Sequence, residues 1–279
     1  MKKIAIASVV TKSCLKEFLL TKYSCEQFNN CQWYICCDED SFKQLSFYEN
    51  VKLFVFTADD KLSNHNSNNK AERQAFLNII LNKFKAIEEC LKEEKTVLFL
   101  DSDMLFSSKI DDKLFDLLEN KSIDFIVSPH YTNNLMIENQ YGYYNVGMFA
   151  LNNPENILTW KALTKDHEKL NLYYEQKPFE LIMKNFLSIS LPINYNIGWW
   201  RFNQEITKDR LKQIYLLEDE VYFGKLKAVN FHFHIFKEPN GYNPGKFLVD
   251  LVLNLFRKSD NIKYKEILKY YEYLSKEPI

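Results

Sequence analysis

The stretch Thr96-Val97-Leu98-Phe99-Leu100-Asp101-Ser102-Asp103-Met104 ends an apolar run on two carboxylates separated by one small residue. Residues 96–100 have the length and composition of a buried strand. Asp101 and Asp103 then fall where the backbone turns away, both at the carboxyl edge of a sheet. Two hard oxygen donors this close suit Mn²⁺ or Mg²⁺, which also accepts diphosphate oxygens. Asp-Ser-Asp is equally ordinary turn chemistry, so the surroundings must decide between a site and a turn.

Working outward, residues 3–10, 32–37, 51–56 and 124–128 repeat the short apolar pattern. Between them, residues 70–92 predict a helix, because Phe76, Ile79, Ile80, Phe84, Ile87 and Leu91 recur three or four apart. Residues 111–119 predict a shorter one, with Leu114, Leu117 and Leu118 inward. Such alternation implies an α/β fold with a mainly parallel sheet flanked by helices on both faces. Ligands of these sheets bind at the carboxyl ends of strands. Farther on, 143–151 and 228–236 read as strands, 174–186 as a helix, and 245–257 and 262–275 as two tail helices. The polar stretch 58–69 reads as a loop, either a lid or plain solvated surface.

A chain of 279 residues, 46% hydrophobic and 26% charged, suits one large α/β domain with at most a small appendage. Its 36 basic and 37 acidic residues give a net charge of −1, so no nucleic-acid partner is expected. The six cysteines (Cys14, Cys25, Cys31, Cys36, Cys37 and Cys90) form no CxxC pair and have no His at zinc spacing, which points to reduced thiols. The apolar run 4–10 passes into Thr11-Lys12-Ser13-Cys14 without a small-residue cleavage site, and reads as a first strand rather than a leader. No segment approaches the ~20 apolar residues of a membrane span. A cytoplasmic protein is expected. GxGxxG, GxxxxGK[ST] and GxSxG are all absent. A phosphatase Asp-x-Asp would close the first strand and continue with Thr, whereas this one comes late and continues with Met104-Leu105.

Leu98-Phe99-Leu100-Asp101-Ser102-Asp103-Met104 resembles the DxD motif of nucleotide-sugar-dependent glycosyltransferases with the GT-A fold, most of all the family-8-like nucleotide-diphospho-sugar transferases. The resemblance runs in order through most of residues 1–240. It implies a GT-A, Rossmann-like sheet and a nucleotide-sugar donor, expected to be a UDP-sugar, held through Mn²⁺ or Mg²⁺. Asp101, Ser102 and Asp103 would then bind the metal and diphosphate. Lys83, on the helix before that strand, matches a basic donor-site position, with Arg73 a weaker candidate. Asn145-Val146-Gly147 resembles the Asn-x-Gly segment lining the sugar site, where glycine lets backbone approach a ligand. Glu175-Gln176 resembles an Asp-Gln segment at the reaction centre, with Glu in place of Asp; Glu180 is a more distant carboxylate. His232-Phe233-His234 matches the place of a late metal-binding His. Strand alternation puts both imidazoles on one face, with His232 the favoured ligand and His234 the second. Lys237 would add positive charge, although the Gly and Lys-Pro-Trp expected after the late His are missing. The end of the first strand, near Val9, would hold the base through backbone groups; Asp38 and Asp40 are further polar strand-end residues.

These readings place a catalytic domain at 1–240 and a helical tail at 241–279. The expected acceptor is a glycan, glycolipid or glycoprotein, with Trp199-Trp200 either a sugar platform or core. The apolar 246–258 segment with basic ends either rests on a membrane surface or packs on its own domain. Two other functions stay open: a sugar-nucleotide nucleotidyltransferase or phosphohydrolase, and a degenerate GT-A domain that only binds.

Overall fold

The computed structural model describes residues 2–57, 68–132, 134–202, 210–236 and 245–277. Most of the 58–69 stretch and Lys237 lie outside them. The strands are β1 Lys3–Val10, β2 Asn30–Cys37, β3 Val51–Val55, β4 Val97–Leu100, β5 Met104–Phe106, β6 Phe125–Pro129, β7 Tyr144–Leu151 and β8 Ser188–Ser190. After them come β9 Ile197–Gly198, β10 Ile214–Leu217, β11 Glu220–Phe223, β12 Leu226–Lys227 and β13 Asn230–His232. The helices are α1 Leu15–Glu26, α2 Glu39–Leu45, α3 Lys70–Leu91, α4 Asp112–Glu119, α5 Leu135–Tyr141, α6 Leu158–Lys165, α7 Gln176–Met183, α8 Lys246–Lys258 and α9 Ile262–Lys276.

Seven strands form the main sheet in the order β3-β2-β1-β4-β7-β6-β8. Only β7 runs against its neighbours, β4 and β6; the other pairings are parallel. The inner strands β2, β1, β4, β7 and β6 are largely buried, whereas the edge strands β3 and β8 are partly exposed, so near-continuous apolar runs suit the inner ones better than alternation with polar residues. Ile4 and Ile6 of β1 and Leu98 and Leu100 of β4 face one core, with α1, α8 and α9. Ala5, Ala7, Val97 and Phe99 face the other, with α3, α6 and α7. By this parity Asp101, just past β4, continues the α3 side.

Helix α3 starts where the Asn69 side chain accepts from Ala71 N, and it buries Leu77, Ile80, Phe84 and Ile87. Lys83 is buried in the same stripe. The tail helices close the opposite face. Leu248, Val249, Val252, Leu253 and Phe256 of α8 all enter the core shared with β1 and α1. Each such side chain contributes about 1.5–3 kcal/mol when removed from water. Phe256 stacks on Tyr264 at 4.1 Å, and the Tyr264 hydroxyl donates to Ser107 O at 2.8 Å, tying α9 to the end of β5. Among the described residues no helix is long and apolar enough to cross a membrane.

Two elements are shorter than their sequence pattern. The helix read at 174–186 begins only at Gln176, because Tyr174 takes a positive φ of 33°. The strand read at 228–236 ends at His232. Its ladder with β5 pairs His232 with Met104, the first residue of β5, so the partner strand runs out there.

Candidate active site

Strand β4 delivers Asp101 against β7, where Asp101 N donates to Gly147 O at 2.8 Å. The chain turns through Ser102 and re-enters a second, small sheet as β5, between which and β9 lies β13. This arrangement brings the two aspartates and the late histidines together. His232 Nε2 lies 3.1 Å from Asp103 Oδ1 and 4.0 Å from Asp101 Oδ2. His234 Nδ1 lies 2.9 Å from Asp103 Oδ2. Burial would raise the Asp103 carboxyl, but His232 and His234 overcome it and hold it well below the usual range. Burial moves Asp101 the other way, upward, against the pull of Lys83 and His232.

The orientation of His232 follows from its neighbour Asn196. Asn196 Nδ2 donates to Ser128 Oγ at 2.8 Å and to Asn145 Oδ1 at 2.9 Å. Its Oδ1 is therefore an acceptor, and His232 Nδ1, 2.9 Å away, must be the donor. In the neutral ring, Nε2 then carries the lone pair toward the aspartates, the tautomer a metal ligand needs. Asp101, Asp103 and His232 place one ligand atom each within 4.8 Å of one another. Two carboxylate oxygens and an imidazole nitrogen at a buried strand end fit a small divalent cation.

Lys83 reaches the same place from α3. Its ammonium donates to Val146 O at 3.1 Å and Glu175 Oε1 at 3.2 Å, sits 3.6 Å from Asp101 Oδ1, and lies 4.6 Å over the Phe99 ring. Burial alone would strip its proton; Asp101 and Glu175 outweigh that and keep its pKa raised. Glu175 precedes α7, and Gln176 opens that helix with a buried Oε1 that has no hydrogen-bond partner. Asn145 Oδ1 also accepts from Gly147 N at 3.0 Å. Ser8 Oγ donates to Leu100 O at 2.8 Å, so the end of β1 with Val9 lies beside the end of β4.

Arg73, Glu180, Asp38 and Asp40 sit apart from this cluster, whereas Trp200 touches it. Arg73 pairs with Glu168 at 2.9 Å, and Glu180 pairs with Lys177 at 2.9 Å. Asp38 caps α2 through Ser41 N and accepts from Lys12 N, while Asp40 pairs with Lys12 and Lys43. Trp200 folds back over Gly198, where a Cβ would lie 2.1 Å from the indole. The indole meets the His232 ring at 5.1 Å and donates to His130 O at 3.0 Å.

Sequence reasoning overlooked the support behind the site. Thr21 of α1 accepts from Met104 N at 2.9 Å and sits 2.7 Å from Ser102 O, so it braces the backbone on both sides of Asp103. One turn earlier, buried Glu17 accepts from Ile235 N at 3.1 Å and Phe236 N at 2.7 Å, holding the segment that follows His234. Glu17→Ala strands two backbone donors, at a cost of about 1–3 kcal/mol each. Urea unfolding should show that loss, and an unchanged midpoint would mean that Glu17 does not hold the segment.

A model of the nucleotide-diphospho-sugar transferase family matches residues 34–227, including both aspartates but stopping short of His232. No curated protein matches the chain. Among solved structures, the galactosyltransferase LgtC in complex with donor and acceptor sugar analogues aligns at a TM-score of 0.50 and 12% identity, over 89% of this chain and 95% of that one. An active-site mutant of LgtC aligns at 0.51 and 13%, with the same coverage. Mouse xyloside xylosyltransferase 1 in its apo form gives 0.49 and 13%, over 86% of this chain and 99% of that one. The LgtC likeness is one of fold, with the mixed, mainly parallel sheet of GT-A enzymes. With most of its length matched by the family model, the chain belongs to the nucleotide-diphospho-sugar transferase family and is a glycosyltransferase of GT-A fold.

Proposed function

We propose that this glycosyltransferase binds a UDP-sugar with Mn²⁺ at Asp101, Asp103 and His232 and transfers the sugar to a glycan, glycolipid or glycoprotein acceptor. The observation that carries this reading is the convergence of two carboxylates with an imidazole whose Nε2 is turned to them by Asn196. When bound, Mn²⁺ supplies charge neutralisation for the departing diphosphate. His234 stands behind Asp103 as the second imidazole.

Lys83 holds Asp101 and Glu175 in one cluster, so Glu175 acts through placement rather than as a free base. Asn145 and Gly147 line the donor-sugar side of the cluster; the Asn145 amide nitrogen makes no hydrogen bond among the described residues and can donate to a sugar hydroxyl. Gln176, with its unpaired Oε1, has an acceptor for a substrate hydroxyl. Catalysis on this reading is positioning plus electrostatic stabilisation of the leaving group. The catalytic unit spans about residues 1–240 by the resemblance, with 241–279 as a helical appendage whose apolar residues share its core.

The test is a calorimetric screen of UDP-, GDP-, CMP- and dTDP-sugars with and without Mn²⁺. Binding of the UDP class alone, dependent on Mn²⁺, is the expected result. Preference for another base would overturn the donor assignment. Mn²⁺-independent binding would overturn the metal assignment.

A further inference from the structure

Trp200 and His130 form one wall beside His232, and their chain neighbours Arg201 and Tyr131 line an adjoining cavity of about 350 Å³. Thr132, Glu138, Tyr143, Arg210 and Phe223 also line it. A cavity of that size with aromatic walls and a few polar groups suits a small ligand.

Its charge is unusual. Arg201 is only 2% exposed. Its Nη1 and Nη2 donate to the carbonyls of Ile193, Tyr195 and Asn196 at 2.6–2.9 Å, and its guanidinium lies 4.9 Å over the Tyr131 ring. Nε is buried without a partner. Arg210 Nη1 donates to Arg201 O at 3.2 Å, which brings a second guanidinium to the same wall. Burial, with Arg210 adding to it, pushes Arg201 down to about 9 even though Tyr131 opposes the shift. Among the described residues no carboxylate forms an ion pair with either arginine. Glu138 is in the lining, but among the described lining residues two arginines stand against that one glutamate. Buried cations are normally paired, and two held together favour an anion between or in front of them.

We infer that this cavity seats the acceptor, and that the acceptor is a sugar carrying an oxyanion, a carboxylate or a phosphate, bound by Arg210 with Arg201 behind it. Tyr131, Tyr143 and Phe223 supply aromatic surface for the C–H side of the sugar ring, and Thr132 supplies a hydroxyl. The inference rests on the glycosyltransferase reading above and goes beyond it in naming the acceptor's chemistry.

The test uses the whole chain and four probes in ligand-observed NMR titrations: methyl β-glucuronide, glucose 6-phosphate, methyl β-glucoside and inorganic phosphate. The glucuronide or the sugar phosphate should bind about tenfold or more tightly than the neutral glucoside, the worth of one hydrogen bond to a charged group. Which of the two binds identifies the oxyanion. Arg210→Gln should remove the preference; the half-buried Arg210 is chosen because Arg201 also sews the backbone together. Equal binding of the glucoside, a preference that survives Arg210→Gln, or no binding of any sugar would overturn the inference. So would inorganic phosphate binding as tightly as glucose 6-phosphate, which would mark an isolated anion site. A UDP titration with Mn²⁺ on the same samples separates this failure from failure of the donor-site reading.

Discussion

Gly147→Ala should lower Mn²⁺-dependent UDP binding by about 100-fold, the upper range for disturbing the shell around a metal site. A single methyl group has this leverage because of where it lands. A Cβ on Gly147 would stand 2.5 Å from His232 Cε1, 2.6 Å from Asp101 Oδ2 and 3.0 Å from Asn145 Oδ1. None of the three gives way freely. His232 is held by Asn196 and by the Trp200 indole, and Asn145 by Asn196 and the Gly147 amide. Asp101 cannot retreat without disturbing Lys83. Overpacking of this kind costs about 1–3 kcal/mol in stability, so the variant should still fold, as circular dichroism would report. Calorimetry that found wild-type affinity in the folded variant would sink the proposed site. The glycine is there for space rather than for a special backbone conformation, since its φ lies outside the left-handed range.

Asp103→Asn should have an effect of similar or greater size. The carboxylate has an imidazole on each oxygen, and it is buried. Truncating one charged partner of a buried contact costs binding about 3–5 kcal/mol, the upper part of the range for such changes, which corresponds to about 150- to 5000-fold in affinity. An asparagine would also turn an NH₂ group toward one of the histidines, where the native chain offers an acceptor. The backbone bonds around the position, from Thr21 and from Phe233 N to Asp103 O, do not depend on the side chain. Thermal unfolding should therefore change little while Mn²⁺-dependent UDP binding is lost. Retained metal-dependent binding would remove Asp103 from the ligand set.

The sheet and the carboxylate pair were legible because they obey short-range rules. An apolar run ending on Asp101 and Asp103 describes a strand and its edge together, and the spacing of Phe84, Ile87 and Leu91 describes the helix that carries Lys83. The family resemblance then pointed to Asn145, Gly147, Glu175 and the late histidines, and the fold places these beside the pair, apart from Lys237, which lies outside the described residues.

What stayed hidden had no period to reveal it. Helix α1 buries Glu17, Thr21, Lys22 and Ser24 alongside its apolar residues, so no clean apolar stripe marks it. Asn196, which orients His232, sits with φ 47° in the irregular stretch between β8 and β9. In Phe231-His232-Phe233-His234 the alternation continues past the point where the partner strand ends. Pattern alone cannot show that the next two amides go to a glutamate more than two hundred residues earlier.

That glutamate has a consequence for how the molecule can change. Glu17 and Thr21 lie one turn apart on a single helix, yet they grip two segments that are far apart in sequence. The segments bearing Asp103 and His234 are thus both fastened to one helix in the ligand-free fold. The entropy of bringing them into register falls on folding, and a ligand meets donors already aligned. The same linkage narrows the routes open to substitution: a change that shifts α1 alters both arms at once.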